Sequence, residues 1–128
     1  MNEETKLSLD KFSKALQKLE EGIKHYHDEL SQDGVIQRFE FTFELCWKTL
    51  KIFLGEEGVD ARTPRQVFDE AFRLGWIEKG KIFIEMLKDR NETAHIYSKE
   101  MADEIVGRIK VNYVREFGRV LARLKKLK

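Results

Sequence analysis

The chain has 128 residues, of which 24 Lys and Arg stand against 23 Asp and Glu for a formal net charge of +1, with 37% of side chains charged. That balance excludes nucleic-acid binding driven by bulk cationic charge and leaves any such role to local patterning. One proline and eight glycines among abundant Lys, Glu, Leu and Arg point to long helices rather than a sheet, and the length suits one domain, 1–128, with a single core.

The first helix is predicted over about residues 9–30, where Phe12, Leu16, Leu19, Ile23, Tyr26 and Leu30 recur at alternating spacings of four and three. The polar run Ser31, Gln32, Asp33, Gly34 is expected to turn the chain into a second helix reaching about Leu54. Ile36, Phe39, Phe43, Cys46, Trp47, Leu50 and Leu54 form its main apolar face, and Gly55 and Gly58 end it. Phe41, Leu45 and Ile52 lie roughly opposite, so this helix either meets another chain or packs centrally on both sides. Cys46 lies in the apolar pattern with no second cysteine to pair with and is read as a core thiol in a reducing compartment.

Thr63, Pro64 and Gln66 make a helix start, with Thr63 as cap, Pro64 at the first helical position and Gln66 placed for a capping box. A short helix through Phe68 and Phe72 is predicted to stop near Gly75. A fourth helix from about Lys81 directs Ile82, Phe83, Met86 and Leu87 inward. Ser98 is positioned to cap a last helix that reads continuously to about Lys126 through Ile105, Ile109, Tyr113, Phe117, Val120 and Leu124. These elements predict an all-α, up-and-down bundle close to a four-helix bundle, with one extra short helix.

The end of the fourth helix carries the chemistry. Arg90 follows Phe83, Met86 and Leu87 by seven, four and three residues, so its guanidinium leaves from the apolar face and needs a partner. A carboxylate such as Glu44, or helix-end carbonyls, would serve. His95 is five residues on, and bringing it to Arg90 requires the helix to end or a second copy to face it. A fixed cation, an imidazole that titrates near neutrality and the Tyr97 phenol are what metal-free chemistry on a phosphate would use.

Arg90, Asn91, His95 and Tyr97 match the pattern of Arg, four residues, His, any residue, Tyr found in HEPN-fold proteins. The run from Arg38 through Phe39, Phe43, Glu44, Trp47 and Lys51, together with Thr63-Pro64-Arg65 and Met86-Leu87-Lys88-Asp89-Arg90-Asn91, resembles the family of nucleotidyltransferase substrate-binding proteins over nearly the whole chain. The resemblance implies a small helical protein, a homodimer, acting beside a separate minimal nucleotidyltransferase. The Gly-Ser and paired-Asp motif of that enzyme is missing here. Related HEPN toxins use the same Arg and His for metal-independent RNA cleavage, and the partner transferase silences them by placing AMP on the Tyr.

Two functions follow from the resemblance. In one, the chain is an accessory subunit that binds a nucleotide or polyanionic substrate and the catalytic partner, with Arg90 and His95 as ligands. In the other it is a ribonuclease toxin in which His95 transfers protons, Arg90 stabilises the phosphorane, Asn91 orients and Tyr97 is the modified switch. A scaffold with Arg90 as a structural ion pair is a third option.

On the last helix Arg108, Arg115, Arg119 and Lys126 share an angular band flanked by Arg123, either a track for RNA phosphates or a solvated face. No metal site or other cofactor site is expected: His25 and His27 point to different sides of a helix, and no glycine-rich phosphate loop is present. With no membrane-length apolar run and a charged start, a cytoplasmic location is expected.

Overall fold

The computed structural model describes residues 1–95 and 98–127. Among the described residues six α-helices run in chain order: α1 Glu3–Lys24, α2 Glu29–Glu56, α3 Pro64–Arg73, α4 Gly80–Glu92, α5 Lys99–Arg108 and α6 Val114–Lys126. A π turn, Ile109–Tyr113, joins α5 to α6 into one long arm. With α1, α2 and α4 this arm makes an up-and-down bundle, and α3 is the extra short helix. Among the described residues there is no strand, and no helix is long and apolar enough to cross a membrane.

The first helical hairpin differs from the sequence expectation at its corner. α1 stops at Lys24, and Asp28 caps α2 through a reciprocal box in which its side chain accepts from the Ser31 N–H while the Ser31 hydroxyl accepts from the Asp28 N–H. That Ser31 N–H also holds the Asp28 carboxyl below the usual range. The run 31–34 therefore lies inside α2, and Leu30, expected on the apolar stripe of the first helix, is 81% exposed. Capping overrode periodicity here, because the box satisfies orphan N–H groups that a helix running on to residue 30 would not have presented.

Contacts between α1 and α2 run antiparallel. Ser8 meets Thr49 at 2.7 Å, the Thr42 hydroxyl donates to the Ala15 carbonyl at 3.2 Å, and Arg38 Nη1 donates to the Lys18 carbonyl at 2.6 Å. α3 starts as predicted, on Thr63 with Pro64 in its first turn. The Gln66 side chain accepts from the Arg62 N–H at 2.9 Å, one residue short of a complete capping box. Gly75, with φ +79°, supplies the left-handed residue that lets the chain turn after α3.

The core is a chain of aromatic rings linking the elements. Phe39 of α2 stacks on Tyr113 at 5.5 Å and approaches Phe117, which meets Phe12 of α1 edge-on at 6.1 Å. Phe43 packs on Phe68 of α3, and Phe68 on Phe83 of α4 at 5.2 Å. Each such pair contributes about 0.5–1.5 kcal/mol beyond its area burial. Cys46 is buried among these helices, and burial pushes its thiol pKa up, as expected of a core thiol.

Gly34 tests the corner. It sits inside α2 with nothing within 4 Å of where a Cβ would stand, so Gly34→Ala should stabilise the fold by about 0.5–1 kcal/mol in chemical denaturation. Asp28→Ala should lower the melting temperature. Because the folded-state pKa of Asp28 is depressed, that difference should be full above the usual carboxyl range and narrow as pH falls through the lowered value. A loss of stability in Gly34→Ala would put the turn at residues 31–34 instead.

Candidate functional site

The last turn of α4 is gripped from two sides. On one side lies Asp89, only 2% exposed, whose carboxylate accepts from Arg108 Nε at 2.7 Å and Arg108 Nη2 at 2.9 Å, and also from the Tyr113 hydroxyl. Bidentate Arg–carboxylate pairing fixes geometry as well as charge. Burial, followed by the bond to Asp89, raises the Tyr113 phenol well above its ordinary value. The bond to Asp89 likewise raises Arg108. The contact places the π turn, which bears Tyr113, directly behind Asp89; such turns are frequent at functional sites.

On the other side Arg90 turns toward α2. Its Nη1 is 3.3 Å from Glu40 Oε2, and its Nε is 3.8 Å from Glu44 Oε1. The sequence reading of Arg90 as a cation leaving the apolar face toward a carboxylate such as Glu44 matches this placement, and Glu40 is an addition it lacked. The Thr93 hydroxyl sits 2.8 Å from Glu40 Oε2 and 2.7 Å from the Arg90 carbonyl, tying the helix end into the same cluster. Glu44 in turn accepts from Trp47 Nε1 at 3.3 Å and pairs with Lys48 at 3.6 Å.

Two cations, Arg90 and Lys48, thus face two carboxylates, Glu40 and Glu44, and the cluster is balanced in charge. Arg90 remains 29% exposed, yet its Nε is shielded from solvent and makes no hydrogen bond among the described residues. A buried N–H without an acceptor costs about 1–3 kcal/mol.

The α-helix ends at Glu92 and the chain tightens into a 3-10 turn, Thr93–His95, which meets the requirement that the helix end before His95. His95 and Asn91 are both exposed. Tyr97 lies outside the described residues.

The proposed track on the last helix is partly neutralised. Arg115 Nε, at 3.2 Å, and Arg119 Nη1, at 3.0 Å, converge on one oxygen of the buried Glu116, and Arg108 is committed to Asp89. The sequence reading missed Asp89, Glu116 and Glu40. Asp89 was detectable in principle, since it follows the apolar Met86 by three and so neighbours it on the buried side of α4.

Residues 7–126 match the family described as nucleotidyltransferase substrate binding protein like. A solved protein of Thermus thermophilus is 35% identical, with a TM-score of 0.84 over 89% of this chain and 98% of that one. A Haemophilus influenzae protein, whose structure reveals the fold of a substrate binding domain of a nucleotidyltransferase, is 25% identical, with a TM-score of 0.81 over 91% and 98%. The tri-AMPylated HEPN toxin of Shewanella oneidensis, solved in complex with its MNT antitoxin, shares the fold at 16% identity, with a TM-score of 0.80 over 98% and 99%. Comparison with curated proteins finds no match.

The joint behind the site can be measured by denaturation. Asp89→Asn, which leaves one acceptor oxygen for three donors, should cost about 2–3 kcal/mol, and Tyr113→Phe about 1 kcal/mol. An Asp89→Asn protein within about 0.5 kcal/mol of the parent would mean that the carboxylate does not organise this end of α4.

Proposed function

The chain belongs to the family of nucleotidyltransferase substrate-binding proteins, and from that membership we propose that it is the accessory subunit of a two-component minimal nucleotidyltransferase. In this role it binds a nucleotide or polyanionic substrate at the α4 terminus and docks a separate catalytic chain. One observation carries the reading: the match to the substrate-binding family spans residues 7–126, nearly all of this sequence.

The electrostatics agree with binding rather than turnover. A phosphate entering beside Arg90 must displace Glu40 or Glu44, which makes the contact exchangeable and removes the unopposed cation that phosphorane stabilisation needs. Asn91 and His95 project from the same end, and Arg115 with Arg119, sharing one carboxylate, keep one positive charge in excess for a polyanion.

A second reading, a metal-independent ribonuclease neutralised by AMP transfer to Tyr97, is favoured by the exposed imidazole of His95 on a turn that begins directly after the helix. In it His95 moves protons and Arg90 holds the phosphate.

The subunit works as a homodimer through the outer face of α2. Phe41 is 61% exposed there, while Leu45 and Ile52 are only half-buried. Phe41→Glu should halve the sedimenting mass with the circular dichroism unchanged, and a parent chain that already sediments as a monomer would contradict the dimer.

The accessory role is tested by labelled nucleotide transfer from the partner transferase. Adding the parent chain should raise the rate or redirect the acceptor, and Arg90→Ala should lose at least about tenfold of that effect. Identical transfer with and without the chain would contradict it.

A further inference from the structure

At the opposite end of α4 from Arg90, about 15 Å away along the helix axis, an open groove of about 910 Å³ lies between α3 and the start of α4. Its walls are apolar: Phe68 and Phe72 from α3, Ile82 and Ile84 from α4. Phe68 is buried, whereas Phe72 is 51% exposed and lays its ring over Gly80, where a Cβ would come within 3.2 Å of ring carbon Cδ1. The ring therefore lies against backbone with one side toward the groove, the arrangement on which a second flat ring stacks.

The charges around the groove are segregated. Arg65 is held by Asp69 at 3.3 Å, which leaves Lys79 and Lys81, on either side of Gly80, against Glu78 alone. Neither lysine forms an ion pair among the described residues, both are exposed, and the first turn of α4 carries no acidic residue. The groove thus has an aromatic wall, an aliphatic wall and one end with a positive charge in excess. Its volume falls in the range of small-molecule sites, about 300–1,000 Å³.

We propose that the groove between α3 and α4 binds a small planar ring carrying an anionic group, the class whose simplest biological members are the nucleoside monophosphates. The ring packs on Phe72 between Phe68 and Ile82, and the anion meets Lys79 and Lys81. The site is separate from the Arg90 cluster and does not depend on which role that cluster plays.

AMP, adenosine and inorganic phosphate are titrated separately into the 15N-labelled full chain at low salt, with amide shifts followed at Phe72, Gly80, Lys81 and Ile82 and, as a second region, at Asn91 to His95. The expected result is saturable AMP binding seen at the groove amides, tighter than for adenosine or phosphate alone. Phe72→Ala should weaken it at least about fivefold, and Lys79→Gln with Lys81→Gln should remove its salt dependence. Because both lysines are exposed, the double variant keeps the proposal testable should Phe72→Ala perturb the fold.

Phosphate binding as tightly as AMP would overturn the ring contact. AMP shifts confined to residues 91–95, or no saturable shift, would overturn the site. Groove shifts that follow protein concentration without ligand would assign the groove to a second copy of the chain and likewise overturn it.

Discussion

The bundle's two halves meet at the carboxylate of Asp89. Apolar contacts could slide, whereas a buried anion that accepts two guanidinium N–H bonds and a phenol hydrogen tolerates one arrangement. That arrangement dictates how α4 faces α2, and so which way the adjacent Arg90 points. The π turn belongs to the same constraint: it brings Tyr113 to Asp89 while keeping the ring stacked on Phe39.

Arg90 is then the consequence rather than the cause. Held in place by the joint behind it, it meets Glu40 and Glu44, with Lys48 completing a charge-balanced group. A balanced, half-exposed cluster exchanges partners readily, because each ion pair there is worth little against solvent or an incoming anion. A recognition site benefits from that exchange. A catalyst that must meet developing charge with an unopposed cation does not. The groove at the other end of α4 has the complementary character, with two lysines lacking ion-pair partners among the described residues beside an exposed ring, so the two ends of one helix offer different surfaces to ligands.

The helical class, the start of α3 and the inward residues of the last arm were legible because each rests on a local rule: proline at a first turn, a capping threonine, apolar periodicity. The corner between α1 and α2 was not, because the apolar spacing runs on through Tyr26 and Leu30 while the decisive signal, Asp28 three residues before Ser31, is short. The π turn was not legible either. Ile105, Ile109, Tyr113 and Phe117 are spaced by fours, and at 100° per residue a regular α-helix would rotate the last of them about 120° from the first. All four are buried, but so are Thr42, Cys46, Leu50 and Leu54 at the same spacing on the regular helix α2, so the pattern does not announce an underwound segment. At the site, Arg90 and a partner such as Glu44 could be read from position. Glu40, Glu116 and the Asp89 joint could not, since pairing across helices depends on a register that no single-helix pattern contains.

The most direct test of the account is whether the chain itself cleaves RNA. Purified protein, at near-equimolar ratio to total tRNA and in excess chelator, is compared with folded Arg90→Ala and His95→Ala. The account predicts intact tRNA in every lane, with binding weakened by Arg90→Ala. Cleavage by the parent that both substitutions abolish would contradict it and make the α4 terminus a ribonuclease centre.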